Sequence, residues 1–247
     1  MKPERQRLDV LLVERGLADS REKAQRLIRA GLVYTESERL DKPGRMISAD
    51  TTITLKGSDC PYVSRGGLKL AGALDAFAVD PSGAIAVDLG ASTGGFTDCL
   101  LQRGAGKVYA IDVGRGQLHE RIARNPLVVA REQTHIDTLQ PTDFDPQPNL
   151  CVVDLSFISL RRAFPVIHRI LAPGGTAIVL VKPQFEAGRE RIPRGGVITD
   201  EALQREIVAS LAQAAGNDGF HVGGECPSPI RGGDGNREFF LLLRREN

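Results

Sequence analysis

From residue 84 onward, short apolar runs alternate with helical patterns, and few folds accept that alternation. Residues 84–89 (Ala-Ile-Ala-Val-Asp-Leu) read as a buried strand, 96–102 as a helix, 107–111 as a strand and 118–123 as a short helix. Further strands are expected over 127–130, 150–153 and 176–181, with helices over 161–171 and 201–215. A helix over 68–77 precedes the first strand, and 220–223 with 238–243 closes the series as an antiparallel pair. Strands and helices in this order predict a mostly parallel α/β sheet covered on both faces.

Such sheets bind ligands at the carboxyl ends of their strands. The first strand ends in Asp88-Leu-Gly-Ala-Ser-Thr-Gly-Gly-Phe96. Glycines 90, 94 and 95 let backbone approach a ligand closely at a helix start. The spacing is G-x-x-x-G-G, which is neither the dinucleotide G-x-G-x-x-G nor a P-loop. Asp112 ends the second strand, where a carboxylate can accept both hydroxyls of a ribose. A turn without a strong phosphate cradle, joined to an acidic ribose grip, favours S-adenosylmethionine over NAD. That cofactor has no phosphates and carries a sulfonium cation, which suits the neighbourhood of Asp88.

Four polar residues stand at the edges of these elements: Lys69, Asp154, Lys182 and Glu238. Two lysines and two carboxylates brought together can depress one lysine's pKa until it works as a base. Taken singly, each could be a surface charge, a cap or a salt-bridge partner. Lys182, at the end of a buried apolar strand and followed by a proline, is the least ordinary.

The segment before the sheet is different in kind. Leu8, Leu11 and Leu12 give a short amphipathic helix ended by Gly16; Ser20 caps a second, with Ala24, Leu27 and Ile28 as its stripe. Short strands are expected at 33–34, 46–47 and 52–55, then a linker rich in Gly and Pro. Residues 1–65 carry a net charge of +3 and the remainder −2, so the lobe is mildly basic and suits an acidic polymer. Arg21, Arg26 and Arg29 could be a solvated helix face. The pattern R-L-D-x-x-L-x-x-x-G-L-x-x-S-R-x-x-A-x-x-L-I-x-x-G-x-V over residues 7–33 resembles the S4-type RNA-binding domain. That resemblance implies RNA contacts by Arg7, Arg21, Arg26 and Arg29.

The four polar positions look like the Lys-Asp-Lys-Glu tetrad of FtsJ-type RNA ribose 2′-O-methyltransferases. Six segments extend the likeness to the hemolysin A (TlyA) type of rRNA methyltransferase: 64–69, 88–97, 112–118, 154–159, 181–186 and 236–239. The resemblance implies an S4-type domain over 1–58, a linker over 59–67 and a Rossmann-like S-adenosylmethionine-dependent methyltransferase domain over 68–247. It implies cofactor contacts by Asp88, Gly90, Ser92, Thr93, Gly94, Gly95, Phe96, Asp112, Val113, Thr134, His135 and Asp154. Where the family often has Glu-Arg-Thr-Asn, this chain has Glu132-Gln-Thr-His135, which changes the residue facing the adenine. In the implied mechanism Lys182, kept neutral by nearby Lys69, takes the 2′-hydroxyl proton. Asp154 orients Lys182, and Glu238 with Lys69 holds the ribose. Arg65, Arg189, Arg191, Arg194 and Arg231 border the RNA entry as phosphate contacts or as solvated loop charges. The implied target is a cytidine ribose in large-subunit rRNA, with small-subunit rRNA as a second site in some relatives; the short chain ends favour the large subunit.

Three rival readings are an RNA-binding module without turnover, a membrane-active hemolysin and a base methyltransferase, for which the strand ends offer neither a catalytic Cys nor an Asn/Asp-Pro-Pro-Tyr loop. No apolar run approaches the roughly 18 residues that span a bilayer, and no signal-peptide core follows the N-terminus. A cytoplasmic protein is therefore expected. Four scattered cysteines and four histidines form neither C-x-x-C nor H-E-x-x-H, so neither a metal nor a disulfide is expected.

Overall fold

The computed structural model describes residues 5–18, 20–29, 31–36, 38–55 and 60–246, without the side chain of Arg189. The chain divides into two compact units, Met1–Asp59 and Cys60–Asn247. The boundary expected at residue 58 lies outside the described residues.

In the first unit β1 (Arg5–Arg7) runs into α1 (Leu8–Glu14) and is followed by α2 (Arg21–Arg29), β2 (Val33–Tyr34), β3 (Met46–Ser48) and β4 (Thr54–Leu55). β1 pairs antiparallel with β3, and β2 with β4. Leu8, Leu11 and Leu12 meet Ala24, Leu27 and Ile28 in one core with Val33, Leu40 and Ile47, as the helical period requires. Asp9 is wholly buried beside this core. It accepts two hydrogen bonds from the Arg7 guanidinium, each 3.0 Å, one from Arg21 Nε at 3.0 Å and one from Gln25 Nε2 at 2.9 Å. Those donors, Arg7 first, hold its carboxyl well below the usual range against the opposing effect of burial.

The second unit opens with α3 (Gly66–Ala76) and continues β5 (Ile85–Leu89), α4 (Gly95–Gln102), β6 (Lys107–Ile111), α5 (Glu120–Ala123), β7 (Val128–Arg131), β8 (Leu150–Val153) and α6 (Leu160–Ile170). It ends with β9 (Thr176–Val181), α7 (Pro183–Glu186), α8 (Glu201–Asn217), β10 (Phe220–Pro227) and β11 (Phe239–Arg245). The sheet has the order β10-β11-β9-β8-β5-β6-β7. β7, β6, β5, β8 and β9 are parallel, and β11 is antiparallel to both β9 and β10. Chain order reverses between β5 and β8, which opens a crevice at their carboxyl ends.

Alternate residues of each strand serve different faces. Val87, Leu89, Cys151, Val153, Val179 and Val181 pack on one side with Phe164, Ile167 and Leu211. Ala86, Val152, Ile178 and Leu180 pack on the other with Leu70, Leu74, Phe96 and Leu100. Both faces are apolar, so the strands read as continuous runs.

Three departures from the sequence expectation have local causes. Gly66 and Gly67, read as linker, begin α3: a Cβ on Gly67 would lie 2.2 Å from the Tyr62 ring, so the glycine permits close packing rather than a break. Residues 60–67 thus belong to the larger unit. The helix expected from 118 starts at Glu120, because the Leu118 amide is bonded to Glu132 and His119 caps the helix. β10 continues past Gly223 to Pro227, where pairing with β11 absorbs the glycines in a register shift between Val222 and Gly224.

Candidate active site

Strand order converts four distant residues into neighbours. Phe239 on β11 faces Val181 on β9, so Glu238 and Lys182 form the next pair along. Val153 on β8 lies level with Val179 on β9, and Asp154 follows it. Adjacent strands are about 4.8 Å apart, so Glu238 and Lys182 make a row at the sheet's carboxyl edge, with Asp154 on the next strand two residues short of Lys182, level with Leu180. Lys69 reaches the row from the first turns of α3. Lys69 Nζ lies 2.6 Å from Glu238 Oε2, and Lys182 Nζ lies 2.6 Å from Asp154 Oδ1. Glu238 is 3% exposed and Lys182 9%, so these pairs are largely shut away from solvent. Each lysine closes on its own carboxylate; the sequence reading had Lys69 near Lys182, with Asp154 orienting Lys182. The facing oxygens Asp154 Oδ1 and Glu238 Oε2 accept no well-aligned hydrogen bond; both contacts are close ion pairs with acceptor capacity left over.

The loop after Asp154 carries groups that sequence reasoning passed over. Lys182 Nζ donates to Ser156 Oγ at 2.9 Å. Phe157 is 91% exposed, holds a φ of 64°, and leans on Phe185 with ring centroids 5.1 Å apart. A bulky residue with positive φ is strained. Glu186 pins the far end of the loop, accepting Ser159 Oγ at 2.7 Å and the Leu160 amide at 2.8 Å. Burial pushes the Glu186 carboxyl up, against those two hydrogen bonds. The Asp154-Leu-Ser-Phe-Ile-Ser159 motif named these residues, but only the fold shows what they touch.

The cofactor turn sits one strand further along. A Cβ on Gly90 would lie 2.6 Å from the Asp154 carbonyl oxygen, so the turn and the catalytic loop meet backbone to backbone. Gly94 takes φ 90° ahead of α4, and a Cβ on Gly95 would lie 2.2 Å from Ser64 Oγ. Ser92 and Thr93 are exposed on this turn. Asp112 accepts the Ser92 amide at 2.8 Å and the Gly114 amide at 2.7 Å, which leaves lone pairs for a ribose diol. Val113 beside it is 58% exposed, an apolar surface next to that carboxylate. The Thr134 amide donates to Asp112 O at 2.9 Å, and His135, exposed, begins a turn of 3-10 helix over Ile136–Thr138. Glu132, given no role from sequence, accepts three amides from Gly116, Gln117 and Leu118, lacing the two loops together.

Two of the expected cofactor residues face inward. Asp88 is completely buried; its Oδ2 accepts Thr97 Oγ1 of α4 at 2.6 Å, and its Oδ1 has no partner. Loss of solvation pushes its carboxyl up to about 7, with Thr97 opposing. Asp88 therefore fixes α4 to β5 from beneath the turn. Phe96 is 3% exposed in the core, its ring 6.2 Å from that of Phe240.

The arginines divide as well. Arg7 and Arg21 are tied to Asp9, whereas Arg26 and Arg29 are exposed in the last turn of α2. Arg65 Nη2 donates to Arg231 O at 2.9 Å, and Arg231 to Gly235 O at 3.0 Å, which gathers both beside the loop leading to Glu238. Arg191 is paired with Glu206 at 2.7 Å. Arg194 is exposed, and the Arg189 side chain lies outside the described residues.

The family pattern for FtsJ-like methyltransferases matches residues 62–245, and that for the S4 domain matches residues 6–53. The chain belongs to the FtsJ-like methyltransferase family. It is a methyltransferase with an S4 domain at its N-terminal side. Its sheet has the fold of an S-adenosylmethionine-dependent methyltransferase from Listeria monocytogenes, described as a candidate, at a TM-score of 0.55 and 17% identity. Similar proteins include YqxC of Bacillus subtilis (strain 168), named a candidate rRNA methyltransferase, 48% identical over 98% of this chain and 87% of that one. TlyA of Mycobacterium tuberculosis, named 16S/23S rRNA (cytidine-2′-O)-methyltransferase, is 43% identical over 98% of this chain and 91% of its own. A solved structure from Streptococcus thermophilus, described as a candidate hemolysin, superimposes with a TM-score of 0.78 at 43% identity, covering 100% of this chain and 90% of that one. No helix among the described residues of this methyltransferase is long and apolar enough to cross a membrane.

Proposed function

We propose that this methyltransferase modifies the ribose 2′-hydroxyl of a cytidine in ribosomal RNA, in the large subunit and, as a second target, the small one. The observation that carries the reading is the pair of Lys–carboxylate contacts at 2.6 Å on neighbouring strand ends, beside the glycine turn. The names of the relatives point the same way: 16S/23S rRNA for the Mycobacterium tuberculosis protein, and 23S rRNA for one from Campylobacter jejuni, 32% identical over 72% of this chain.

Asp112, Val113 and the turn through Gly90 would hold the cofactor, with the carboxylate on the ribose and the valine against the adenine. Bound there, S-adenosylmethionine supplies an electrophilic methyl group on a sulfonium. Lys182, acting as the free amine, takes the proton that the 2′-hydroxyl loses. Asp154 fixes the lysine and balances the ammonium that results. Glu238, ahead of the next strand, and Lys69, from α3, brace the ribose. Phe157 offers its exposed ring as a stacking surface for a base turned out of the RNA. Arg26, Arg29, Arg65, Arg189, Arg194 and Arg231 are candidates to meet phosphate, and Arg7, Arg21 and Arg191 would do so from carboxylate pairs they already make.

Labelled S-adenosylmethionine incubated with separated ribosomal subunits and intact ribosomes tests this. The expected product is alkali-resistant 2′-O-methylcytidine in large-subunit rRNA. Lys182→Ala should lower turnover about 10²–10⁴-fold while cofactor binding persists. Normal turnover by that variant would sink the assignment, and cofactor binding without label on any RNA would favour an RNA-binding module instead.

A further inference from the structure

We infer that Ser156 is a positioning residue that aims the lone pair of Lys182 at the substrate hydroxyl. The inference rests on Lys182 being the base. A free amine has two N–H bonds and one lone pair, arranged tetrahedrally with the carbon that bears it. For the amine to accept a proton from the 2′-hydroxyl, both hydrogens must point elsewhere.

The surroundings of Nζ supply two places for them. Asp154 Oδ1 lies 2.6 Å away. That contact is a close ion pair and not an aligned hydrogen bond. A lone pair on the side nearer the carboxylate would still be repelled, so of the two directions left by Ser156 the nearer one takes a hydrogen. Ser156 Oγ lies 2.9 Å away in an aligned hydrogen bond donated by Nζ. Ser156 takes one hydrogen in a hydrogen bond, the charge of Asp154 draws the second to its side, and the lone pair is left with the one remaining direction. The Phe185 ring centroid, 5.8 Å from Nζ, is too distant to compete as an acceptor.

A hydroxyl can also donate, and a Ser156 proton directed at Nζ would consume the lone pair and block catalysis. Exposure decides between the two arrangements. Ser156 is exposed while Lys182 is buried, so its hydrogen can go to water and its oxygen can serve the lysine. The backbone holds the serine there. The Asp154 amide is bonded to Leu89 O at 3.0 Å at one end of the loop, and Glu186 clamps Ser159 and Leu160 at the other. The ion pair with Asp154 fixes where the nitrogen is. Ser156 fixes how it is turned about the Cε–Nζ bond.

The test compares Ser156→Ala, Ser156→Thr and Lys182→Ala in the full-length protein, with S-adenosylmethionine and ribosomal subunits. Ser156→Ala should lower kcat about 10- to 100-fold, part of the roughly 10²–10⁴ that a well-placed base supplies. KM for RNA and Kd for the cofactor should stay within about twofold, because removing a hydroxyl on an exposed residue leaves the pocket's shape alone. Ser156→Thr, which keeps the hydroxyl, should recover most of the rate. Wild-type kcat in Ser156→Ala beside an inactive Lys182→Ala would overturn the serine's role and leave the base assignment standing. Loss of cofactor affinity in step with kcat, or no recovery with threonine, would also overturn it, since either marks a structural role. Full activity in Lys182→Ala would instead overturn the base assignment itself.

Discussion

Replacing Asp88 with asparagine should alter stability in a way that depends on pH. The wild-type carboxyl lies wholly inside the protein with one oxygen unpartnered, and burial raises it to about 7. In the unfolded chain it titrates near 4. Between those values the folded state holds a proton that the unfolded state has released, so stability falls as pH rises. The slope is about 1.4 kcal/mol per pH unit, or roughly 2–3 kcal/mol between pH 5 and 7, and it flattens above 7. Asparagine keeps an acceptor for Thr97 and never ionises. The difference in stability between Asp88→Asn and wild type should therefore move in the variant's favour by that amount from pH 5 to 7. Urea unfolding of both proteins at pH 5, 6, 7 and 8 measures it. A difference that stays constant across the series would show that Asp88 is not carrying a buried, titrating carboxyl.

Lys69→Ala should destabilise the fold by about 3 kcal/mol, because Glu238, 3% exposed, would keep its charge without a partner. Adding Glu238→Gln should recover most of that loss in thermal unfolding while activity stays absent. Phe157→Gly should raise stability by about 0.5–1 kcal/mol, since glycine accepts φ 64° without strain and little packing is lost from a side chain 91% exposed. The same variant should raise KM for ribosomal RNA, and an unchanged KM would remove the stacking role.

The parallel strands were legible because both faces of the sheet are apolar, so their central residues are mostly Val, Ile, Leu and Ala. Lys182 and Asp154 stood out as charges at the ends of such runs. Boundaries were less legible where a long-range partner decides them: the Leu118 amide goes to Glu132 rather than into a helix, and Gly67 makes room for Tyr62. Arg7 and Arg21 were expected as RNA contacts from the S4 resemblance, which did not show that both also bind Asp9. The Arg7 bond spans only two residues, whereas the Arg21 bond spans twelve and requires α1 and α2 to be packed already. Ser156 and Phe157 had no periodic signature at all, because loop backbone, and not repeat, sets their direction.

The contact between Gly90 and the Asp154 carbonyl settles what kind of tolerance this active site has. Where two side chains touch, a change of rotamer can take up a small error. Here main chain lies on main chain, with a missing Cβ as the only clearance and sheet hydrogen bonds behind both segments. The separation between the methyl-donor side and the base side is thus a property of the scaffold, like the pitch of a screw. Side-chain substitutions in either loop can remove a function but have no means of adjusting that reach, and a different acceptor would have to be fitted by reshaping the RNA-facing loops around a fixed gap.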